Sequence, residues 1–386
     1  MNVGVPKEST PGERRVAVVP EVARALSASG AAVHFERGAG AAGGFLDREF
    51  EESGARPCDT YGELAGRSDL VLKVQPPNDQ ELPAHSEHSA LISLLRPLDE
   101  PGRIEQLAAR HIDAFALELM PRITRAQSMD VLSSQSTIAG YRAVIRAADA
   151  LPRIFPMLVT AAGTLQPARV LVLGAGVAGL QALATARRLG AVTAAYDTRA
   201  AVREQVESVG ARFVELDLEG GAGEDAGGYA ASQSAAFYDR QREELAKHVS
   251  LSDVVITTAL VPGESAPRLI TAAAVHGMRP GSVIVDLAAE KGGNCDRTVP
   301  GEEVVEQGVR IIGSTNLPAE VPAHASQLFA KNVLTFFDHL VTENGALAFD
   351  LEDEITAGTL VSRCGEVVND RVCAQLAKRE EGGTDA

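Results

Sequence analysis

The densest chemical signal in the chain is Gly174-Ala175-Gly176-Val177-Ala178-Gly179, set directly behind the apolar run Val170-Leu171-Val172-Leu173. Glycines at these three places let a strand turn sharply into a helix and let the backbone come close to a pyrophosphate. The helix N-terminus then supplies N–H donors and the positive end of its dipole. A helical run through Leu189 follows, and the next apolar stretch ends in Asp197. Strand, glycines, helix and acid in that order read as a dinucleotide-binding turn, with Gly174, Gly176, Val177, Ala178 and Gly179 as cofactor contacts. The plainer alternative is a helix–sheet packing site that needs glycine only for closeness. Asp197 is placed to accept the ribose 2′- and 3′-hydroxyls, and its charge repels a 2′-phosphate, which favours NAD(H). Arg199 argues the other way, because an Arg there accommodates such a phosphate; it serves equally as an ion-pair partner near the next helix.

A second polar concentration is Pro121-Arg122-Ile123-Thr124-Arg125-Ala126-Gln127-Ser128-Met129-Asp130-Val131-Leu132-Ser133-Ser134-Gln135. These side chains suit the wall of a cleft where two domains meet, and on pattern alone they suit a polar connecting loop equally well. A third is residues 217–234, where Gly220, Gly221, Gly223, Gly227 and Gly228 mix with acidic residues and offer little to a core. That composition predicts a mobile surface loop, and loops of such length are usually functional or disordered.

The elements that must carry these residues alternate. Residues 2–6, 31–36 and 70–74 read as strands and residues 20–29 as a helix, giving a first α/β region. Ile138, Tyr141, Val144, Ile145 and Ala148 recur at helical spacing over residues 134–150 until Pro152 stops the pattern, so this helix could bridge two domains. Beyond it, residues 169–173, 192–196, 212–216, 253–257, 282–287 and 310–312 read as strands separated by helical segments, the pattern of a parallel sheet covered on both faces. In residues 326–340, Phe329, Val333, Phe336, Phe337 and Leu340 line one side of a helix that could dock back on the first region. The expected fold class is α/β, two Rossmann-like doubly wound parallel-sheet domains flanking a cleft. Residues 1–133 plus 320–386 form one domain and residues 134–319 the nucleotide-binding one.

The 386 residues suffice for two or three domains, and 36 Lys and Arg against 52 Asp and Glu leave a net charge of −16. That sign repels phosphate backbones and anionic lipid, which excludes nucleic acid as a natural partner. Cys58, Cys295, Cys364 and Cys373 are scattered without a paired motif or a His cluster, so no metal site is expected and the thiols fit a reducing compartment. No apolar run approaches the ~18 residues of a membrane span, and the N-terminus lacks a signal-peptide pattern. A cytoplasmic location is expected.

Over essentially its whole length the sequence resembles the NAD(H)-binding alpha component of proton-translocating NAD(P)+ transhydrogenase. The resemblance is carried by GVPKESTPGERRVAVVPE from Gly4, VLKVQPP from Val71, PRITRAQSMDVLSSQS from Pro121, AGYRAV from Ala139 and FPMLVTAAGT from Phe155. GAGVAGLQALATARRLGAV from Gly174, EQVESVGA from Glu204, AGGYA from Ala226, TTALVPG from Thr257, SVIVDLAAEKGGNC from Ser282 and LFAKN from Leu328 complete it. It implies that NADH is held here and passes its hydride to NADP+ on a separate component, while a membrane component couples the exchange to proton movement. It also implies nicotinamide-side roles for Arg122, Gln127, Asp130 and Ser133, with Gln127 bridging the two nicotinamides. Tyr229, beside Gly228, would fold over the nucleotide, and Leu260 would contact it. A homodimer is implied as well, peripheral to the membrane through partner subunits. Because the chain ends at Ala386 before any span, those components are expected on separate polypeptides.

Hydride transfer between two nicotinamides generates nothing to protonate, so positioning and water exclusion suffice without an acid–base residue. The alternative is alanine dehydrogenase, of similar architecture, where Arg15 and Lys73 match substrate-holding positions. Its catalytic His position is Arg96 here, in Leu91-Ile92-Ser93-Leu94-Leu95-Arg96, and His85 and His88 lie outside that context. Deamination needs a proton acceptor, which this position does not offer. A non-catalytic NAD-sensing module is the third reading.

Overall fold

The computed structural model describes residues 1–216, 235–261, 263–342 and 346–382. In chain order its strands are β1 (Asn2–Val5), β2 (Ala32–Glu36), β3 (Arg56–Cys58), β4 (Leu70–Leu72), β5 (Ala90–Ser93), β6 (Asp113–Ala116), β7 (Leu158–Thr160), β8 (Gly163–Leu165), β9 (Arg169–Leu173) and β10 (Val192–Tyr196). They continue with β11 (Arg212–Phe213), β12 (Val254–Thr257), β13 (Val283–Asp286), β14 (Glu303–Glu306), β15 (Val309–Gly313), β16 (Leu360–Arg363) and β17 (Glu366–Val367). The chain forms two compact units, Met1–Gln135 with Pro318–Ala386, and Ser136–Leu317.

The first unit is built on an eight-stranded sheet ordered β17-β16-β6-β5-β4-β1-β2-β3. From β6 to β3 every pairing is parallel. Alternation along the strands feeds two cores: Leu70 and Leu72 point into one with Val3, Phe35 and Ile92, while Val71 points into the other with Leu91 and Ala114. The helix Pro322–Leu340 covers the first of these faces, burying Phe329, Val333, Phe336, Phe337 and Leu340.

The second unit carries a seven-stranded sheet ordered β11-β10-β9-β12-β13-β15-β14. Val170, Val172, Val254 and Ile256 enter one core and Leu171, Leu173, Val255 and Ile284 the other, which is why these strands read as unbroken apolar runs. The expected strand over residues 212–216 is only Arg212–Phe213.

Both sheets end in antiparallel edges that the strand–helix rhythm did not announce. Glu306 pairs with Val309 across Gln307 and Gly308, both at positive φ (47° and 81°), and Arg363 pairs with Glu366 across Cys364 and Gly365 (50° and 92°). A two-residue loop with both φ positive matches the twist of a hairpin and returns the chain antiparallel. The hairpin β7–β8 stands apart from both sheets, and residues 156–166 are all exposed. Among the described residues no helix is long and apolar enough to cross a membrane.

Candidate functional site

In the second unit the strand order reverses between β9 and β12, the place where open α/β sheets bind ligands beyond the carboxyl ends of their strands. The three glycines there differ in what confines them. Gly174 has φ 98°, and a Cβ on it would lie 2.6 Å from Thr258 Oγ1 and 3.2 Å from the Ala259 nitrogen. A Cβ on Gly179 would lie 1.9 Å from the Gly174 carbonyl oxygen, so helix and strand approach as closely as backbone allows. Gly176 meets nothing within 4 Å, which leaves open space above the start of the helix Val177–Arg188. That is the cradle a pyrophosphate needs, beside the N–H groups that the first helical turn leaves over. Gly140 abuts this same turn, since a Cβ on it would lie 2.1 Å from the Ala178 carbonyl oxygen.

Asp197 ends β10 nearly buried, and its carboxylate is already engaged. Oδ2 accepts the Ala175 N–H (2.7 Å) and Arg199 Nη2 (2.9 Å), and Oδ1 accepts the Arg199 backbone N–H (2.9 Å) and Nε (3.0 Å). Arg199 thus forks onto Asp197, and Asp197 ties the second strand back to the glycine turn. Leu260 is exposed just beyond β12, while Gly228 and Tyr229 lie outside the described residues.

In the first unit, Arg122 and Gln127 are exposed and Asp130 and Ser133 half-buried. Asp130 caps the helix Val131–Ala150: Oδ1 accepts the Ser133 N–H (2.9 Å) and Oδ2 its hydroxyl (2.6 Å). The preceding turn Thr124–Met129 is pinned by burial of Ala126 and Met129, by Asn332 Nδ2 donating to the Ser128 carbonyl (2.8 Å), and by Arg125 on Asp353 (2.5 Å). Gln127 projects from that held turn. Asn332 was not singled out in the sequence, although a polar residue three places after Phe329 on an apolar helix face is a signal of a buried tether.

Arg15 and Lys73 lie in a buried charge network that sequence reasoning missed in extent. Arg15 forks onto Glu13 (2.7 and 2.8 Å) and donates to Gln135 Oε1 (2.9 Å), and Gln75 also donates to Glu13 (2.8 Å). Burial works to raise the Glu13 carboxyl, but the Arg15 guanidinium overrides it and holds it at about 2. Lys73, wholly buried, sits 3.1 Å from Glu81 and 3.6 Å from Glu8. Glu8 accepts the Val74 and Gln75 N–H groups, and burial, opposed by Lys73, raises it to about 6. Beside them a cavity of about 580 Å³ is lined by Glu8, Glu36 and Glu81 with Lys7, Tyr61 and Asn78, an acidic surround for any carboxylate.

Arg96 adopts φ 54°, and its N–H and that of Leu95 both donate to Glu118 Oε1. Burial raises Glu118 to about 7. His85 is buried against the Tyr61 hydroxyl (2.7 Å), and burial together with Lys73 lowers it to about 4, so the ring is neutral. Among the described residues no group of three or more His, Cys, Asp or Glu is placed to hold a metal ion.

Residues 4–139 match the family described as alanine dehydrogenase/PNT, N-terminal domain, and residues 143–370 match alanine dehydrogenase/PNT, C-terminal domain. The chain is 48% identical over 384 residues to the first of the separate parts of NAD(P) transhydrogenase subunit alpha of Rhodospirillum rubrum, covering 98% of this chain and 100% of that one. It is 30% identical over 366 residues to alanine dehydrogenase of Halomonas elongata, covering 93% and 92%. The crystal structure of transhydrogenase from Sinorhizobium meliloti superposes with a TM-score of 0.86 at 44% identity, over 95% of this chain and 100% of that one.

Proposed function

Because the chain belongs to the alanine dehydrogenase/PNT family of oxidoreductases, we propose that it is the NAD(H)-binding subunit of a proton-translocating NAD(P)+ transhydrogenase. The observation that carries the reading is the open space over Gly176 at the helix start, flanked by Gly174 and Gly179, which suits a dinucleotide pyrophosphate. Bound there, a reduced nicotinamide supplies the hydride that NADP+ on a partner component accepts, with a membrane component coupling the exchange to proton movement.

The chain's own residues then have to bind, orient and exclude water. The turn at residues 174–179 takes the pyrophosphate. Asp197 receives the ribose hydroxyls, exchanging guanidinium N–H groups of Arg199 for them, since its acceptor positions are filled. Its charge selects NAD(H) over a 2′-phosphorylated ligand. Leu260 packs on the nucleotide, and Gly228 and Tyr229 fold over it. Arg122, Gln127, Asp130 and Ser133 attend the nicotinamide, the Asp130–Ser133 cap fixing the helix that carries them and Gln127 bridging to the acceptor. Partner subunits on separate chains hold it in the cytoplasm beside the membrane. It works as a homodimer, a state supported by the exposed Met157, Leu158, Val159 and Leu165 of the hairpin β7–β8.

One observation favours alanine dehydrogenase: Arg15 and Lys73 are both present in the first unit. They are occupied, however, Arg15 by Glu13 and Lys73 by Glu8 and Glu81, and Arg96 stands where a general base is required. Mixing the purified chain with its cognate NADP(H)-binding component and following reduction of an NADP+ analogue by NADH tests the proposal. Exchange is expected, and Gln127→Asn should slow it at least about ten-fold while leaving the NADH dissociation constant unchanged. L-Alanine oxidation by the chain alone, or NADH binding with no exchange in the mixture, would overturn it.

A further inference from the structure

Two wholly buried polar side chains, Asp286 and Asn294, sit at the carboxyl ends of the second sheet and take no part in the site as described so far. Asp286 ends β13 and accepts five hydrogen bonds. Oδ1 takes the Thr257 hydroxyl (2.9 Å) and the Ala288 N–H (3.0 Å). Oδ2 takes the N–H groups of Asn294 (2.8 Å) and Cys295 (3.1 Å) and the Thr298 hydroxyl (2.7 Å). A buried carboxylate satisfied by fixed donors anchors whatever carries those donors. Here it anchors Asn294.

The Asn294 amide in turn closes a two-sided clamp on one residue: Nδ2 donates to the Ala259 carbonyl (2.9 Å) and Oδ1 accepts the Ala259 N–H (3.1 Å). Nδ2 also donates to the Pro267 carbonyl (2.8 Å). Ala259 lies just past β12, and its neighbour Thr258 rests on the glycine turn, its N–H on the Leu173 carbonyl (2.8 Å) and its hydroxyl on the Gly174 carbonyl (2.9 Å). Gly174 has no room for a Cβ because of these two residues. The wall at residues 258–260 and the glycine turn therefore move as one piece, and the piece is located by Asn294.

We infer that Asn294, held by Asp286, is a positioning residue for the dinucleotide, setting residues 258–260 against the glycine turn at the point where the strand order reverses. The inference rests on the dinucleotide reading of that turn. A side chain that only filled the core would affect folding stability and leave affinity alone.

NADH fluorescence titration and thermal melts on the full chain separate these roles. In Asn294→Asp the shape is kept, but a carboxylate faces the Ala259 and Pro267 carbonyls, and NADH affinity should fall about ten-fold or more. Val275→Ala, a core change in the helix Ala272–His276, should lower the melting temperature and leave NADH affinity at the wild-type value. Thr258→Val, which removes the hydroxyl on Gly174, should weaken NADH binding by about three-fold or more, and it decides the matter if Asn294→Asp does not fold. Wild-type affinity in folded Asn294→Asp, or in Thr258→Val where that variant decides, overturns the inference alone. A wild-type chain that does not bind NADH overturns the dinucleotide reading with it.

Discussion

The two units share one strand order and treat its reversal point in opposite ways. In the first, the order 6-5-4-1-2-3 reverses between β1 and β4; in the second the same order reverses between β9 and β12. At the first reversal the chain supplies its own occupant: Glu8 accepts the Val74 and Gln75 N–H groups, with Lys73 wedged between Glu8 and Glu81. At the second, Gly176 faces open space. One topology thus gives a sealed charge network in one unit and an open cradle in the other, and the difference lies in a handful of side chains rather than in the fold.

The largest expected effect breaks the sealed side. Lys73→Met leaves Glu8 and Glu81 buried without their cation, and unfolding experiments should show a loss of about 3–5 kcal/mol while the folded protein keeps its NADH affinity. A variant of wild-type stability would mean that the network carries no balance of charge.

Glu118 should show its strain as a function of pH. Its carboxyl ionises near 4.5 in the unfolded chain and about 7 in the folded one. Across that window the folded chain keeps a proton the unfolded chain has lost, so this group's contribution falls as pH rises and is fully unfavourable above 7. Glu118→Gln, which mimics the protonated form, should match wild type at pH 4 and exceed it at pH 8 by ~3 kcal/mol. Denaturant midpoints at the two pH values measure this, and a gain equal at both would refute it.

On the open side the glycines should separate. Gly179→Ala forces a Cβ to 1.9 Å from the Gly174 carbonyl oxygen and should cost about 1–3 kcal/mol of stability together with most NADH binding. Gly176→Ala meets no protein atom within 4 Å, so its melting temperature should hold, while its NADH dissociation constant rises about ten-fold because the methyl occupies the cradle. If Gly176→Ala instead lowered stability and spared binding, the cradle would be misplaced.

Sequence carried the open side better than the sealed one, for a physical reason. The glycine turn is local: Leu173, Gly174, Gly176, Gly179 and Asp197 lie within one strand–helix–strand passage, and its backbone demands are written as residue type. The helix over residues 326–340 was legible through its apolar stripe, and the structure extends it to Pro322–Leu340. The charge network joins Glu8 to Val74 and Arg15 to Gln135 across 66 and 120 residues, distances over which spacing has no meaning. Lys73 inside an apolar strand was its one local trace. Asp286 and Asn294 escaped notice because an acid at a strand end and an Asn in a loop are ordinary until their donors are in place. The edge strands β14 and β17 are too short and polar to read by alternation, and their turns declared themselves only through positive φ at Gln307 and Cys364. The glycine-rich stretch 217–234 lies outside the described residues.

The pairing of β16 with β6 has a consequence for synthesis. Ser362 aligns with Ala114 and donates its hydroxyl to the Ile112 carbonyl, 250 residues earlier, and the helix Pro322–Leu340 that roofs the first core is made almost as late. A nascent chain emerging from the ribosome therefore holds a half-roofed sheet with β6 as a raw edge while residues 136–317, contiguous and self-sufficient, close first. The N-terminal unit is the last to finish, and that interval is when the polypeptide most needs a chaperone.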